Sequence, residues 1–180
     1  MKGLILLYHN LSVIIRKDTI KDLKMSTHLW ERFNPRFDYL LDQSRWNKFK
    51  YIKKDNTISD EISNVPTSQG GIYMFVIQPN KIYDSMLVMG YVGRALLTDN
   101  MNLRIRIRQY MDYVRYPDKF ERPLIRRLFK QWKDYIYCHY ITVDGNEEIE
   151  NLEKEIVNSM LPPFNSEIFD ITIRAAVKAF

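Results

Sequence analysis

Three apolar runs, each bounded by polar or glycine-containing segments, constrain most strongly what this chain can fold into. The runs "GGIYMFVIQ" at 70–78 and "MLVMGYVGRA" at 86–95 are separated by a short polar loop, which is typical of an antiparallel hairpin. The run "YIYCHYITV" at 135–143 has the aromatic and β-branched composition of a third strand. These runs therefore predict a sheet, and the segments between them must supply the elements that cover it.

Helical spacing of apolar residues fills those segments. It predicts a helix over 101–115, a basic helix within 115–134, and an acidic helix that Asn146 would cap. The resulting order β-β-α-α-β-α lacks regular strand–helix alternation. It favours an α+β fold, with a small central antiparallel sheet of about three strands flanked by helices.

A polar stretch at 55–70, with Pro66 and Gly70, is typical of a linker. It predicts that residues 1–66 form an N-terminal extension of unknown role and that residues 67–180 form the main domain. The alternating segment "FKYIKKD" at 49–55 could add a strand before that linker. Residues 115–134 would be a basic helical insertion in the main domain.

Charge is unevenly distributed along the chain, whose net charge is +5. Residues 90–134 hold 11 Lys and Arg against 5 Asp and Glu, whereas residues 141–180 hold 3 against 8. A basic middle beside an acidic C-terminal part indicates a surface that faces a polyanion, with carboxylates nearby. Basic patches also occur on proteins that do not bind nucleic acid.

The single cysteine, Cys138, excludes an internal disulfide and a cysteine-rich zinc site. The apolar run at the N-terminus is too short to span a bilayer and has no cleavage pattern of small residues. We therefore expect a soluble protein without a membrane partner, located in the cytoplasm. Met25 is a second possible start, because a capped helix pattern follows it.

Two tyrosines within glycine-containing strands are the first candidates for chemistry. Tyr73 and Tyr91 could meet as a cross-strand pair on one face of the hairpin, although each alone is more often a packing residue. Gly93 would let a ligand approach the backbone, and Arg94 follows it directly.

The helices add charged candidates. Arg104, Arg106 and Arg108 lie on one helix and cannot all share a direction, but Arg106 and Tyr110 are four residues apart and project together. A planar guanidinium suits a phosphate. On the acidic helix, Glu153 can lie at the rim of the core, where one carboxylate could hold a hard divalent ion.

These pieces, in this order, resemble the GIY-YIG nuclease domain over about residues 68–166. Gly71-Ile72-Tyr73 matches the first motif, and Tyr91-Val92-Gly93 is a variant of the second. The segment "NLRIRIRQY" resembles the family's helix motif, which selects Arg106 and places Tyr110 where members carry His or Tyr. Glu153, with a proline nine residues later and Asn165 twelve residues later, matches the last motif.

The resemblance implies a DNA endonuclease that uses one Mg²⁺ or Mn²⁺ bound by Glu153, with Arg106 stabilising the transition state. Tyr73 would act as the general base and Tyr91 would position the water, or the reverse. Arg94, Gly93, Tyr110 and Asn165 would support the site. Phosphates of double-stranded DNA would be held by a set of basic side chains: Arg104, Arg108, Arg126, Arg127 and Lys130. Double-strand cleavage with one site per chain would suggest a homodimer or two sequential nicks.

Two other interpretations stay open. The chain could be a nucleic-acid-binding protein that keeps the fold without catalysis, or an interaction module whose tyrosines only fill the core. The restriction, mobility or repair role of the nuclease is undecided, and so is the choice between DNA and RNA.

Overall fold

The structure is a computed structural model that describes residues 43–79, 87–117, 119 and 121–179. Four strands form one antiparallel sheet in the order β1-β4-β2-β3: β1 Asn47–Lys50, β2 Gly71–Ile77, β3 Val88–Ala95 and β4 Ile136–Thr142. The helices are α1 Leu103–Gln109, α2 Met111–Arg115, α3 Pro123–Trp132, α4 Asn146–Met160 and α5 Ile171–Ala179. The predicted α+β class with an antiparallel sheet is confirmed, but the sheet has four strands instead of about three.

The additional strand, β1, comes from the segment assigned above to the N-terminal extension. It pairs with β4, with Phe49 opposite Cys138, and buries Phe49 in the core. Ile62 and Val65, further along the same segment, are also buried. In the described part of the chain the sheet therefore begins before the predicted boundary at residue 66. Residues 1–42 lie outside the described residues, and so does Met25.

Strand alternation gives the sheet two different faces. One, here called the aromatic face, carries Phe49, Tyr73, Phe75, Ile77, Tyr91, Cys138 and Tyr140 and packs against α1, α2 and α3. The other, here called the aliphatic face, carries Ile72, Met74, Val76, Val92, Ile141 and Val143 and packs against α4. Because β2 lies between β4 and β3, all of its residues are buried.

The helix predicted over 101–115 is divided into two at Tyr110. Asn102 caps α1 by accepting a hydrogen bond from the Ile105 N–H at 3.0 Å. At the other end, the Tyr110 N–H donates to the Ile107 carbonyl at 3.3 Å, three residues back, which tightens the last turn. Tyr110 is 2% exposed, so its ring lies within the core. The break therefore occurs where a large side chain is anchored in the core under the sheet.

Within the predicted basic insertion, α3 begins at Pro123, a position where the missing N–H of proline has no helical partner to lose. It buries Ile125, Leu128 and Phe129, a stripe at helical spacing. Its basic side chains lie away from that stripe, so the insertion is attached to the core through the aromatic face.

Candidate functional site

A cavity of about 430 Å³ gathers the residues that the motifs selected. Its lining includes Tyr73, Tyr91, Arg94, Arg106, Glu153 and Asn165, which come from β2, β3, α1, α4 and the segment after α4. We call it the central cavity. All four residues predicted to be catalytic therefore border one space, although they are up to 80 positions apart in the chain.

Three tyrosine hydroxyls form a hydrogen-bonded chain beside this cavity. The Tyr73 and Tyr110 hydroxyl oxygens are 2.8 Å apart, and Tyr110 donates to the Tyr91 hydroxyl at 3.0 Å. Because a phenol has a single hydrogen, Tyr110 must accept from Tyr73. The Tyr91 oxygen also accepts from Arg122 Nη2 at 3.3 Å. Tyr91 thus accepts from both Tyr110 and Arg122. Its own hydrogen is not used in any bond between the three tyrosine hydroxyls.

Burial affects the ionisation of Tyr73 and Tyr110. Desolvation raises the pKa of Tyr73 well above its usual value, and repulsion from the phenols of Tyr110 and Tyr91 adds to this effect. Desolvation likewise raises the pKa of Tyr110, and Tyr91 adds to the shift. Tyr73 and Tyr110 are therefore neutral at physiological pH, and they act as hydrogen-bond donors.

Gly93 has a role that differs from the predicted one. A Cβ built on Gly93 would lie 2.5 Å from the Tyr73 Oη and 2.9 Å from Cε1 of Tyr91. The glycine thus leaves space for the two phenol rings of its own site, whereas the sequence suggested space for a ligand. In the first motif, a Cβ on Gly71 would lie 2.1 Å from the Ile141 carbonyl oxygen, so that glycine permits close contact between β2 and β4.

Glu153 is a buried carboxylate whose partner is an arginine. It accepts a hydrogen bond from Arg94 Nη1, and Arg94 also forms an ion pair with Glu150 at 3.5 Å. Burial raises the pKa of Glu153, while Arg94 offsets part of that rise. Arg94 therefore compensates the charge that α4 places at the edge of the core.

The fit of a divalent metal rests on few ligands. Glu153 and Glu167 are the carboxylates that line the central cavity. Within the described residues no group of three or more His, Cys, Asp or Glu side chains is close enough to hold a metal. Mg²⁺ is often held by one or two carboxylates, with waters and substrate phosphates completing its shell. The donor set fits that mode, with Glu153 as the principal ligand, and does not fit an all-protein cage.

Arg106 borders the cavity from α1. Its Nη1 donates to the Gln109 side-chain oxygen at 2.9 Å, and its guanidinium lies 5.7 Å from the centroid of the Tyr110 ring. Both partners are neutral, and no ion pair joins Arg106 to a carboxylate among the described residues. Burial raises the pKa of Glu153, and the charge of Arg106 is among the causes that oppose that rise. This is the arrangement expected of a residue that meets an anion.

Asn165 connects the segment after α4 to the edge strand β3. Its side chain accepts from the Val92 N–H at 2.9 Å and donates to the Val92 carbonyl at 2.8 Å. The Phe164 N–H adds a bond to the Gly90 carbonyl at 3.0 Å. Because Val92 lies between Tyr91 and Gly93, these bonds hold the backbone that carries the second motif.

The predicted nucleic-acid-binding residues divide into two groups. Arg104 donates to the carbonyls of Val65 and Ser63, both at 2.6 Å, so its guanidinium holds the chain before β2 and is not presented freely to a ligand. The other four remain available on the surface or close to it: Arg108, Arg126, Arg127 and Lys130.

Sequence analysis missed Arg122, which lines the central cavity from the residue before α3. Its guanidinium lies 5.7 Å from the centroid of the Tyr91 ring, in addition to the hydrogen bond described above. The motifs could not select it because it belongs to the insertion. The dipeptide Arg122-Pro123 was the available signal, since proline favours an extended residue before it and a helix after it.

Comparisons with protein-family models, curated proteins and solved structures found no match for this chain. Among the described residues, none of the helices has the length and apolar composition needed to cross a membrane. The cytoplasmic location stays a prediction.

Proposed function

We propose that this chain is an endonuclease of the GIY-YIG type that hydrolyses phosphodiester bonds in DNA with the help of Mg²⁺ or Mn²⁺. The observation that carries the proposal is the convergence of Tyr73, Tyr91, Arg106 and Glu153 on the central cavity. The order of the motifs alone could arise by chance. Convergence of acid, base and cationic groups on one concave space is what phosphoryl transfer requires.

Each residue has a role in this proposal. Glu153 would hold the metal, and Glu167 faces the same cavity. The bound metal would offset negative charge on the scissile phosphate and on the leaving oxygen. Arg106 would stabilise the charge that develops on the phosphoryl oxygens. Asn165 would keep Tyr91 and Gly93 in place through Val92.

Of the two tyrosines, we assign the general base to Tyr91, which reverses the preference drawn from the sequence. The Tyr73 hydroxyl already donates its hydrogen to Tyr110, and burial raises the pKa of Tyr73. The Tyr91 oxygen accepts from Tyr110 and from the cationic Arg122, so its own hydrogen is committed to neither of these partners and a water in the cavity can lie against it. Tyr73 would then act through Tyr110, by keeping the hydroxyl chain aligned.

The DNA would be held by basic side chains beside the cavity. Arg126 lies four residues after Arg122, in the first turn of α3. Arg108, Arg127 and Lys130 are exposed and would contact phosphates without reading sequence. Two such chains would be needed for simultaneous cleavage of both strands, which makes a homodimer on DNA part of the proposal.

One observation favours a second candidate, a nucleic-acid-binding protein without catalysis. Arg94 forms an ion pair with Glu153, the principal carboxylate of the cavity. If that ion pair persisted in the presence of metal, Glu153 would not hold the metal. The cavity would then bind a phosphate of the nucleic acid without cleaving the strand.

A cleavage assay on supercoiled plasmid separates the two candidates. We expect nicked or linear products with Mg²⁺ or Mn²⁺, none with EDTA, and DNA binding under both conditions. Salt-dependent binding without cleavage under either metal would instead support the second candidate. Cleavage that persists in EDTA would contradict the role of the metal.

A further inference from the structure

Arg122 is a cavity residue whose role the family resemblance does not supply. It reaches the central cavity from the residue before α3, and its described polar contact is one Nη2 bond to the Tyr91 hydroxyl. A guanidinium carries several further N–H donors in a fixed plane. The Tyr91 bond therefore fixes the orientation of the group while leaving donors for another partner.

The charges around the cavity indicate what that partner is. Arg94 is compensated by Glu153 and Glu150, whereas Arg106 bonds to the neutral Gln109. In the described part of the chain, the ion pairs include none between Arg122 and a carboxylate. Arg106 and Arg122 thus border the same space from α1 and from the insertion, and neither has an ion pair with a carboxylate among the described residues.

Their supports make both groups suitable for an anion with several equivalent oxygens. Each guanidinium lies 5.7 Å from the centroid of a tyrosine ring of the hydroxyl chain, Tyr110 for Arg106 and Tyr91 for Arg122. Such contacts favour the planar arginine group over lysine. The guanidinium fork matches both carboxylate and phosphate, and a phosphate has more oxygens to accept from two such groups at once.

We propose that Arg122 binds a phosphate of the substrate strand together with Arg106, so that the insertion forms part of the active site. This inference rests on the proposed function, because it assumes that the strand enters the central cavity. It gives the insertion a specific task. Its helix, α3, carries surface cations, and the residue just before that helix, Arg122, carries the guanidinium that would meet the substrate phosphate.

Binding of a fluorescently labelled DNA duplex in EDTA tests this inference without cleavage. The variants are Arg122→Ala, Arg122→Lys and, as a matched control, Lys119→Ala. Lys119 carries the same charge in the same insertion, but it lies over the Tyr116 ring at 4.6 Å and does not line the cavity. The unfolding midpoint of each variant verifies that it is folded.

We expect Arg122→Ala to weaken binding by about tenfold and to lower the slope of log K against log salt by about 0.9, the value for one lost phosphate contact. Arg122→Lys should keep the salt slope but reduce the cleavage rate, because lysine lacks the planar fork and the oriented bond to Tyr91. Lys119→Ala should keep both the salt slope and the cleavage rate of the parent chain. An unchanged slope in Arg122→Ala, or an equal loss in Lys119→Ala, would overturn the inference.

The two proposals fail in different ways. If DNA binding depends on Arg122 but no metal supports cleavage, the proposed nuclease activity is rejected and the proposed phosphate contact is supported. If the protein cleaves DNA with metal but Arg122→Ala leaves the salt slope unchanged, the nuclease activity is supported and the Arg122 phosphate contact is rejected.

Discussion

The two faces of the sheet are built from the same strands but carry different side chains and have different roles. Along β2, Ile72, Met74 and Val76 point to the aliphatic face, where α4 covers them with apolar side chains. Tyr73 and Phe75 point to the aromatic face, where Phe75 contacts Tyr91 and Tyr110 as well. The aliphatic face is covered mainly by apolar side chains, although His139, opposite Met74, has a buried Nε2 with no hydrogen-bond partner among the described residues. The aromatic face carries hydroxyls that must find partners.

The difference explains how a small domain can hold a polar site steadily. The hydroxyls of Tyr73 and Tyr110 donate along the chain of phenols towards Tyr91, so the Tyr91 hydrogen is the one donor that these three bonded phenols leave for a partner in the cavity. The aliphatic face fixes α4, and α4 presents Glu153 to the same cavity from the edge of the sheet. One face therefore supplies the phenols, and the other holds the helix that supplies the carboxylate.

The largest effect expected on the aromatic face concerns its two motif tyrosines. Tyr91→Phe removes the assigned base and should reduce the cleavage rate by roughly 10²–10⁴-fold, the usual contribution of general acid–base catalysis. Tyr73→Phe removes only the far end of the hydroxyl chain and should cost about tenfold or less. Single-turnover rates on plasmid DNA would measure both.

Val76→Ala is the control on the aliphatic face, because it removes buried volume without removing a hydroxyl. It should lower the free energy of unfolding and keep the cleavage rate per folded molecule. A Tyr73→Phe variant that loses more activity than Tyr91→Phe would return the base to Tyr73.

A smaller effect is expected in the pH dependence of stability. Burial raises the pKa of Tyr73, Tyr110 and Tyr51 in the folded state. A raised pKa means that these phenols contribute stability below the unfolded value of about 10, and that the contribution is lost as pH rises towards the folded value. Each such phenol should steepen the decline by up to about 1.4 kcal/mol per pH unit above that point.

Urea unfolding across the alkaline range measures this decline. Tyr73→Phe should make it shallower, whereas Val76→Ala should lower the whole curve without changing its slope. An equally steep decline in Tyr73→Phe and in the parent chain would show that the buried tyrosine ionises as freely as in the unfolded state.

Local pattern was sufficient for much of this architecture. The strands around Tyr73 and Tyr91, the α1 core residues Leu103 and Ile107, and the helix that carries Glu153 follow from periodicity and composition. The order of the motifs selected residues that border one cavity, because short-range signals of strand and helix also determine which side chains share a face.

What the sequence could not supply depends on partners distant in the chain. The sequence suggested a strand at 49–55, but β1 spans Asn47–Lys50, and its bounds are set by pairing with β4, about 90 positions away. Asn146 was expected to cap α4, but it is the first helical residue and exchanges hydrogen bonds with the Leu97 backbone at 2.9 and 3.0 Å. Arg104 is bound to carbonyls before β2, and Arg122 reaches Tyr91 from the insertion. No local rule selects either contact.

The central claim, that the cavity cleaves DNA through a metal held by Glu153, is tested most directly by Glu153→Gln. Glu148→Gln is its matched control, because Glu148 is exposed on the same helix and does not line the cavity. With Mg²⁺, we predict that Glu153→Gln loses plasmid cleavage by about a thousandfold, since the metal supplies several kcal/mol to the transition state. Its DNA affinity should be retained, and Glu148→Gln should cleave normally. Cleavage by Glu153→Gln at the rate of the parent chain would contradict the account.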